Sequence, residues 1–406
     1  MLKTILIFSV TTFNIFTLLY YTLWFSNILC VINRKKIELI QLLSIIFLLI
    51  LYCGNSFNGD YWAYYKRYEA MDMHEFELGF RTIGEFCKSI NLHYNVFISL
   101  LIIPLYIGLI KFFRKTSNFL HLFYALYFTI LFFYDVGQVR NFIISVLITF
   151  AIVCLMKKKR GYAFFFIVIA SFFHHLSLVY VLLLFIRPKK IVKYRLFIYI
   201  FTFVLCFSLY ANGNKIPFLS TILYAITKDS GKLVYGTQRM RLGFVIPITL
   251  HLLNAGLVYF SVKLIKEKGN TIIAKHRELI MWSKALVIVG YLTFPLIMVD
   301  LSFDRIVRNF SFIFFSLGCV ALQPLTKKTA RKKRRLERYF FFFLFVYVVL
   351  WDIGMPIRYG TLPPEKYRIL HNNFLLQEED KFKGVDVKPF KYFFSNNIVK
   401  ESCLKL

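Results

Sequence analysis

The sequence predicts an all-α protein, a polytopic transmembrane helical bundle. Of its 406 residues, 58% are hydrophobic and 19% are aromatic. Apolar runs recur from residue 4 to about residue 355, with short polar gaps between them. A run of about 17–25 apolar residues spans the hydrocarbon layer of a bilayer as a helix. Because these runs are continuous and do not alternate with polar residues, they indicate helices and not barrel strands.

The apolar runs correspond to about ten long spans and a separate apolar stretch at 162–186. The first run, near 4–28, follows Lys3 and also resembles a signal peptide, but no small-residue cleavage pattern follows it, which favours a retained span. Residues 1–355 then form one transmembrane domain with external loops at 54–91 and 212–240, and residues 356–406 form an extracytoplasmic tail. The other spans are expected near 37–53, 93–112, 119–134, 139–156, 195–211, 242–263, 279–299, 309–325 and 338–355.

The formal net charge is +30, from 51 Lys and Arg against 21 Asp and Glu. In a water-soluble protein this charge would suggest a nucleic-acid partner. Here the cations collect in short loops, where they set orientation and face anionic lipid, so we expect membrane lipids and no nucleic acid as partners. The seven cysteines lie apart without a zinc-like spacing, which indicates neither a disulfide framework nor a structural metal.

The distribution of Lys and Arg predicts which side each loop faces. Strongly basic loops should face the cytoplasm, and these are 34–36, 111–115, 157–160, 187–195, 263–284 and 327–338. Loops of mixed or sparse charge should face outward, and these are 54–91, 134–138, 212–240 and 300–308. This orientation places the amino terminus and the carboxy-terminal tail outside.

The segment 162–186 breaks the alternation, because basic loops flank it on both sides. A single crossing cannot begin and end in the cytoplasm. Two helices of about a dozen residues would each reach about 18 Å, enough to enter the membrane deeply but not to cross it comfortably. We therefore expect a re-entrant hairpin, or two short spans, with its apex at 172–177. The alternative is one tilted helix with a basic loop on the wrong side.

The first external segment places acidic side chains beside aromatic rings. Asp60, Tyr61 and Tyr64 lie close together, and Glu77 follows them. Proteins often hold a sugar in this way, because the carboxylate accepts hydroxyl hydrogen bonds and the rings cover the apolar sugar face. The same residues also suit an aromatic belt at the membrane interface.

Three arginines near the external ends of spans suit a diphosphate. Arg140 follows Gln138 at the start of one span, where its planar fork fits a phosphate, although it can also snorkel to headgroups. Arg305 and Arg308 are three residues apart and share one face of a helix, where Asp304 can orient one of them. Two guanidinium groups on one face favour a pyrophosphate clamp.

His174 and His175 lie at the proposed apex of the hairpin. A buried histidine is more often a structural hydrogen-bonding group than a catalyst. Imidazole is nevertheless well suited to take a proton from a sugar hydroxyl near neutral pH. With the hairpin in place, all the candidate residues share one side of the membrane. The pattern predicts an external cavity with cations for a diphosphate, a base, and acidic and aromatic groups for a sugar.

The order and spacing of these residues resemble the EpsG family of Wzy-type polysaccharide polymerases over about residues 50–320. The similarity is carried by Asp60-Tyr61-x-x-Tyr64, Glu77-x-Gly79-Phe80, Arg140, Ala170-Ser171-x-Phe173-His174 with Ser177, and Arg305 with Arg308. The family places a small hydroxyl residue two positions after its histidine, which fits His175, whereas the preceding spacing fits His174. Both histidines are therefore candidates for the functional one.

The resemblance implies a GT-C-like, multi-pass glycosyltransferase of the bacterial cytoplasmic (inner) membrane with an extracytoplasmic active face. It would use no metal or cofactor and would polymerise undecaprenyl-diphosphate-linked oligosaccharide repeat units into O-antigen, capsule or exopolysaccharide. Its protein partners would be a flippase and a chain-length regulator. The expected roles are catalysis by His174 or His175, donor diphosphate binding by Arg140, Arg305 and Arg308, orientation by Gln138 and Asp304, and acceptor binding by Asp60, Tyr61, Tyr64 and Glu77.

Two other functions fit the same layout. An O-antigen ligase or an acyltransferase would differ in its acceptor, which the sequence does not specify. A flippase or transporter for the lipid-linked sugar would line a route with the arginines. Such folds often show internal repeats, whereas here the two halves show no self-similarity and the charge lies near one face.

Overall fold

The computed structural model describes residues 15–55, 61–213, 244–323 and 330–359. Every regular element within these ranges is a helix, which confirms the predicted all-α class. Where the structure describes it, each predicted span coincides with a helix or with consecutive helices, and residues 4–14, 242–243 and 324–325 of the predicted spans lie outside the described ranges.

We number the α-helices of the described ranges in chain order. The first nine are α1 Ile15–Asn33, α2 Glu38–Gly54, α3 Tyr61–Glu69, α4 Leu78–Ser89, α5 Tyr94–Thr116, α6 His121–Leu126, α7 Phe132–Gly137, α8 Val139–Met156 and α9 Arg160–Ser171. A π-helical turn, Tyr127–Leu131, joins α6 to α7, and 3-10 helices cover His175–Phe185 and Leu301–Phe303. The others are α10 Pro188–Lys193, α11 Arg195–Ala211, α12 Val245–Glu267, α13 Asn270–Lys275, α14 Arg277–Leu292, α15 Phe294–Val299, α16 Asp304–Arg308, α17 Ser311–Leu322 and α18 Ala330–Tyr359.

Five helical segments in the described ranges are long and apolar enough to cross a membrane. They are α1, α5, α8, α12 and the segment Asp304–Leu322, which comprises α16 and α17. Other apolar helices are shorter, such as α2 and α11 with 17 residues each. The chain is therefore a helical membrane protein with several spans, while the number of about ten stays a prediction.

The core of the bundle is centred on α8 and on the segment Asp304–Leu322, of which 72% and 94% are buried. The helix α8 packs against α5, α9 and α14, and α17 packs against α6 and α12. Aromatic rings fill the interface of α5, α6 and α17, where Phe123 contacts both Phe113 and Phe312. Close packing of this kind holds helices together in a membrane, where lipid tails remove the usual hydrophobic driving force.

Residues 160–185 form a helical hairpin that packs against α8. The helix α9 and the following 3-10 helix contact each other and are joined by a turn at 172–174. They contain 12 and 11 residues, which corresponds to about 18 Å and about 22 Å of helix. Two short consecutive helices are thus present as predicted, but the second is a 3-10 helix and begins within the predicted apex.

Several of the loops predicted to face the cytoplasm meet at one end of the bundle, which we call the basic end. There Arg34, after α1, pairs with Glu337 of α18, with 2.6 Å between Nη2 and Oε2. Gln323, after α17, donates from Nε2 to the Ser117 hydroxyl at 3.0 Å. Lys268, after α12, donates from Nζ to the carbonyl oxygen of Gln323 at 2.8 Å. The ends of α1, α5, α12, α17 and α18 therefore lie on the same side.

The opposite end, which we call the site end, carries the segments predicted to face outward. The predicted loop 54–91 contains α3 and α4, whereas residues 56–60 lie outside the described ranges. Most of the second predicted loop, from residue 214 on, also lies outside them. The helix α18 continues to Tyr359, past the predicted start of the tail at 356, and residues 360–406 are not described.

Candidate active site

The turn of the hairpin fixes the position of His174. This residue has an extended backbone and is the N-cap of the 3-10 helix. Its Nδ1 accepts a hydrogen bond from the backbone N–H of Leu176 at 3.2 Å, and its carbonyl oxygen accepts one from the hydroxyl of Ser177. The small hydroxyl residue that the family pattern associates with a histidine therefore bonds to His174. His175, by contrast, is exposed.

Gly79 allows the hairpin turn to press against the start of α4. Its backbone N–H donates to the carbonyl oxygen of Phe172 at 2.8 Å. A Cβ atom at position 79 would lie 2.8 Å from the Cβ of Phe172 and 2.9 Å from its carbonyl oxygen. Such a close backbone approach requires glycine. It brings His174 next to Glu77, the N-cap residue of α4.

Glu77 lies between Arg140 and His174. Its Oε2 pairs with Nη1 of Arg140, and its Oε1 is 3.6 Å from Nδ1 of His174. The Glu77 side chain is only 10% exposed, so water screens these charges weakly. A carboxylate beside a histidine orients the ring and stabilises the imidazolium that forms when the ring takes a proton. The sequence predicts Glu77 as an acceptor ligand, and this role stays a prediction, while Arg140 and His174 are its partners within the protein.

Arg140 is held by three side chains at the start of α8. Besides pairing with Glu77, it donates from Nε to the hydroxyl of Tyr64 at 3.0 Å. Its guanidinium carbon lies 5.1 Å from the centre of the Tyr64 ring and 5.2 Å from that of Phe76, which is within cation–π range. The sequence predicts Arg140 as a diphosphate ligand. That role stays a prediction, and the contacts of Arg140 within the protein are with Glu77, Tyr64 and Phe76.

Arg305 and His174 face each other between α16 and the hairpin. Nη1 of Arg305 is 3.5 Å from Nε2 of His174. This separation is long for a hydrogen bond. Both the guanidinium and the imidazole can therefore still form hydrogen bonds with other groups. The guanidinium, the imidazole and the Glu77 carboxylate thus form one contiguous polar array on side chains from α16, the hairpin and α4.

Arg308 is buried, with 7% of its surface exposed. Its guanidinium carbon lies 4.3 Å from the centre of the Tyr134 ring, and its Nη2 donates to Oε1 of Gln138 at 2.8 Å. Within the described part of the chain, Nε and Nη1 have no hydrogen-bond partner. These two nitrogens can donate to a further acceptor, and a phosphoryl oxygen is one that suits the planar guanidinium. Gln138, for which the family resemblance implies an orienting role, contacts Arg308, and that role stays a prediction.

A break in the helix separates α16, which contains both arginines, from α17. The backbone N–H of Phe310 donates to the carbonyl of Val307, so the carbonyl of Ile306 is left without its usual helical donor. The hydroxyl of Tyr180 donates to that carbonyl at 3.2 Å and accepts from Nδ2 of Asn309 at 2.9 Å. Insertion of a side chain into the helical hydrogen-bond ladder is an established cause of a kink.

Tyr180 and Asn309 are site residues that the sequence analysis misses. Asn309 also accepts a hydrogen bond from the hydroxyl of Ser145, so one amide joins α8, the hairpin and the kink. A polar residue that follows Arg308 directly in an apolar run is a signal for Asn309. Tyr180 lies in an apolar stretch rich in aromatic residues and carries no such signal.

The other predicted site residues are less central. Tyr61 is 8% exposed and donates to Oδ1 of Asn95 at 3.1 Å, so its hydroxyl connects α3 to α5. Asp304 is buried at the start of α16, and its orienting role stays a prediction. Asp60 lies outside the described residues, so its role stays a prediction as well. Across the described ranges, no group of three or more His, Cys, Asp or Glu side chains is arranged to hold a metal ion.

Comparison with protein families identifies a match over most of the chain. The model described as the EpsG family matches residues 39–357. The matched segment contains Glu77, Arg140, His174, Arg305 and Arg308. The chain matches no curated protein and no solved structure in the corresponding comparisons.

Proposed function

The chain belongs to the EpsG family, a family of polysaccharide-polymerase-type membrane proteins, and we propose that it joins lipid-linked oligosaccharide repeat units into a polysaccharide. In this proposal the donor is an oligosaccharide on undecaprenyl diphosphate, and the growing O-antigen, capsule or exopolysaccharide chain is extended at the site end. The contact of His174 with both Glu77 and Arg305 carries the proposal.

The proposed base is His174. The tautomer with its hydrogen on Nδ1 directs that hydrogen toward Glu77 and forgoes the contact with the Leu176 N–H. The lone pair of Nε2, which Nη1 of Arg305 approaches only to 3.5 Å, then takes the proton of the acceptor hydroxyl. Glu77 then stabilises the imidazolium, while Arg140 holds Glu77 in place. Glu77 thus has the role of the orienting group in an arrangement of a nucleophile, a base and a group that orients the base.

The proposed cations for the leaving group are Arg305 and Arg308. As the acceptor oxygen bonds to the anomeric carbon of the donor sugar, the bond from that carbon to the diphosphate oxygen breaks. Negative charge develops on the diphosphate, where the guanidinium groups stabilise it. The open Nε and Nη1 of Arg308 support this assignment. Fixed charges aimed at a developing anion are the strongest catalytic device of this kind of site.

The proposed orientation places the basic end in the cytoplasm and the site end outside, in a bacterial cytoplasmic membrane. The loops rich in Lys and Arg support it through the preference of such loops for the cytoplasmic side. Lipid-linked repeat units would then reach the site after transfer by a flippase. A chain-length regulator would be a further partner, and no nucleotide sugar would be required.

The donor assignment is tested by Arg305→Ala and Arg308→Ala in a deletion strain of the source organism. Loss of one cation at the leaving group should reduce the rate by about 10²–10³. The surface glycan, read as a ladder on a gel, should shorten to single repeat units. Arg67→Ala is the matched control, because Arg67 lies near the site end and pairs with the exposed Glu75.

A ladder of unchanged length and amount in both arginine variants would contradict the donor assignment. The lipid-linked intermediates of the deletion strain separate the other functions. Single units on the carrier in the outer leaflet support polymerisation. Long polymer left on the carrier would indicate a ligase instead, and units held in the inner leaflet would indicate a flippase.

A further inference from the structure

Asp135 is a buried carboxylate that the proposed reaction does not use. It lies on α7 and is 1% exposed. A carboxylate at such a position is costly unless a cation compensates it. Arg308 is the described cation whose charge acts on Asp135.

A chain of two tyrosine hydroxyl groups ends at the carboxylate of Asp135. The hydroxyl of Tyr127 donates to Oδ2 of Asp135 at 3.1 Å. Because that bond uses the Tyr127 hydrogen, the oxygen of Tyr127 accepts from the hydroxyl of Tyr52, with which it is in direct contact. Tyr127 begins the π-helical turn before α7, a feature often found at functional sites. The hydroxyl of Tyr127, itself bonded to Tyr52, restrains the position of the carboxylate.

Arg308 contacts residues on both sides of Asp135 in the sequence and has two nitrogen donors without a partner among the described residues. Its guanidinium stacks on Tyr134 and bonds to Gln138, which lie on either side of Asp135 in the sequence. No ion pair joins Asp135 to Arg308 directly among the contacts of the described residues, and Nε and Nη1 have no hydrogen-bond partner there. The guanidinium of Arg308 is therefore affected by the charge of Asp135, while its Nε and Nη1 can still donate to a second anion.

We propose that Asp135 is a positioning residue, the resident counter-ion of Arg308, which limits how tightly Arg308 holds a diphosphate. This inference rests on the proposed function, because it assigns the open donors of Arg308 to the leaving group. Without substrate, Asp135 offsets the buried charge of Arg308. When a diphosphate binds, two anions share one guanidinium, and their repulsion promotes release of the product. An enzyme that repeats its reaction gains nothing from holding its leaving group tightly.

The consequence is a pair of substitutions with effects of opposite sign. Asp135→Asn keeps the shape and an acceptor for Tyr127 but removes the charge, so pyrophosphate should bind about tenfold more tightly. Tyr127→Phe frees the charged carboxylate to move toward Arg308, so pyrophosphate should bind more weakly. A residue that only supports the fold would weaken binding in both cases.

The experiment is calorimetric titration of inorganic pyrophosphate into the full-length protein in nanodiscs of neutral lipid. Because the protein is strongly basic, titration of Arg308→Gln gives the binding at other cations, and this background is subtracted. Tyr347→Phe is the matched control for Tyr127→Phe, since it also removes a buried hydroxyl bond, here to Asn254 of α12. This control should bind pyrophosphate as the unmodified protein does.

Unchanged or weaker binding in Asp135→Asn would overturn the counter-ion role. If Asp135→Asn does not fold, the Tyr127→Phe variant tests the proposal. Pyrophosphate binding by Tyr127→Phe equal to that by the Tyr347→Phe control would overturn it. The proposed function fails separately, if Arg308→Gln changes neither the pyrophosphate titration nor the glycan ladder. An intact effect of Arg308→Gln with no effect at Asp135 leaves polymerisation standing and removes the counter-ion alone.

Discussion

At the scale of single residues, the site depends on how Glu77 divides its charge between Arg140 and His174. A neutral side chain of the same shape would keep a hydrogen bond to Arg140 but would no longer favour the imidazolium. The guanidinium of Arg140 would also lose its charged partner in a largely buried environment, where an unpaired charge is costly. Both effects act on His174, the proposed base.

Glu77→Gln should therefore lower polymer synthesis by about 10²–10³ while the protein still folds. The measurement is the rate of glycan formation in the deletion strain, together with the thermal unfolding of the purified protein. Glu75→Gln is the matched control, because Glu75 lies two residues away and its side chain is 74% exposed. Activity in Glu77→Gln equal to that of Glu75→Gln would contradict the orienting role of Glu77.

The sequence predicts which residue types gather at the site better than it predicts their partners. The arginine pair and the histidine pair follow from their chemistry and from the spacing around them. Arg140 is separated in the sequence from Tyr64 by 76 positions and from Glu77 by 63 positions. No local sequence pattern encodes contacts over such distances. Asp135 is missed for the same reason, because its compensating cation is far away in the sequence.

At the scale of elements, the hairpin and the kink bring His174 and the arginines together. The hairpin turn is held against α4 at Gly79, and its second arm is held at the kink by Tyr180. Both attachments use backbone carbonyl groups, which cannot move as freely as side chains. They therefore fix the position of the hairpin. The spacing of His174 from Glu77 and Arg305 therefore depends on contacts that touch none of the three side chains.

Gly79→Ala should separate the hairpin turn from α4 and reduce polymer synthesis at least about tenfold, since small displacements at a reacting centre are costly. The added Cβ would meet the carbonyl oxygen of Phe172 at 2.9 Å, and a backbone atom cannot easily move away. Gly161→Ala is the matched control, because a Cβ there meets nothing within 4 Å. Equal glycan ladders from the two variants would show that the turn need not be this close.

The hairpin could be predicted because the Lys and Arg content of whole loops shows which side of the membrane each loop faces. The kink could not, because it depends on a hydroxyl from another element that replaces a helical donor. Likewise the 3-10 geometry of the second arm has no signature in its apolar sequence. The helices α3 and α4 lie in a segment that looks like a loop because it is polar and lies between two spans.

At the scale of the whole molecule, the charges divide between two ends. The basic end joins α1, α5, α12, α17 and α18, and the site end gathers Glu77, Arg140, His174 and the arginines of α16. Proposed catalysis is thus confined to one end of the bundle, as expected for an enzyme that meets lipid-linked sugars at one face.

The role of His174 is tested most directly by the surface glycan of a deletion strain that expresses His174→Ala, compared with one that expresses His175→Ala. We expect His174→Ala to abolish the ladder and to accumulate single repeat units on the lipid carrier, because the base is lost. We expect His175→Ala to keep a normal ladder, because His175 is exposed and lies outside the polar array. A normal ladder from His174→Ala would contradict polymerisation with His174 as its base.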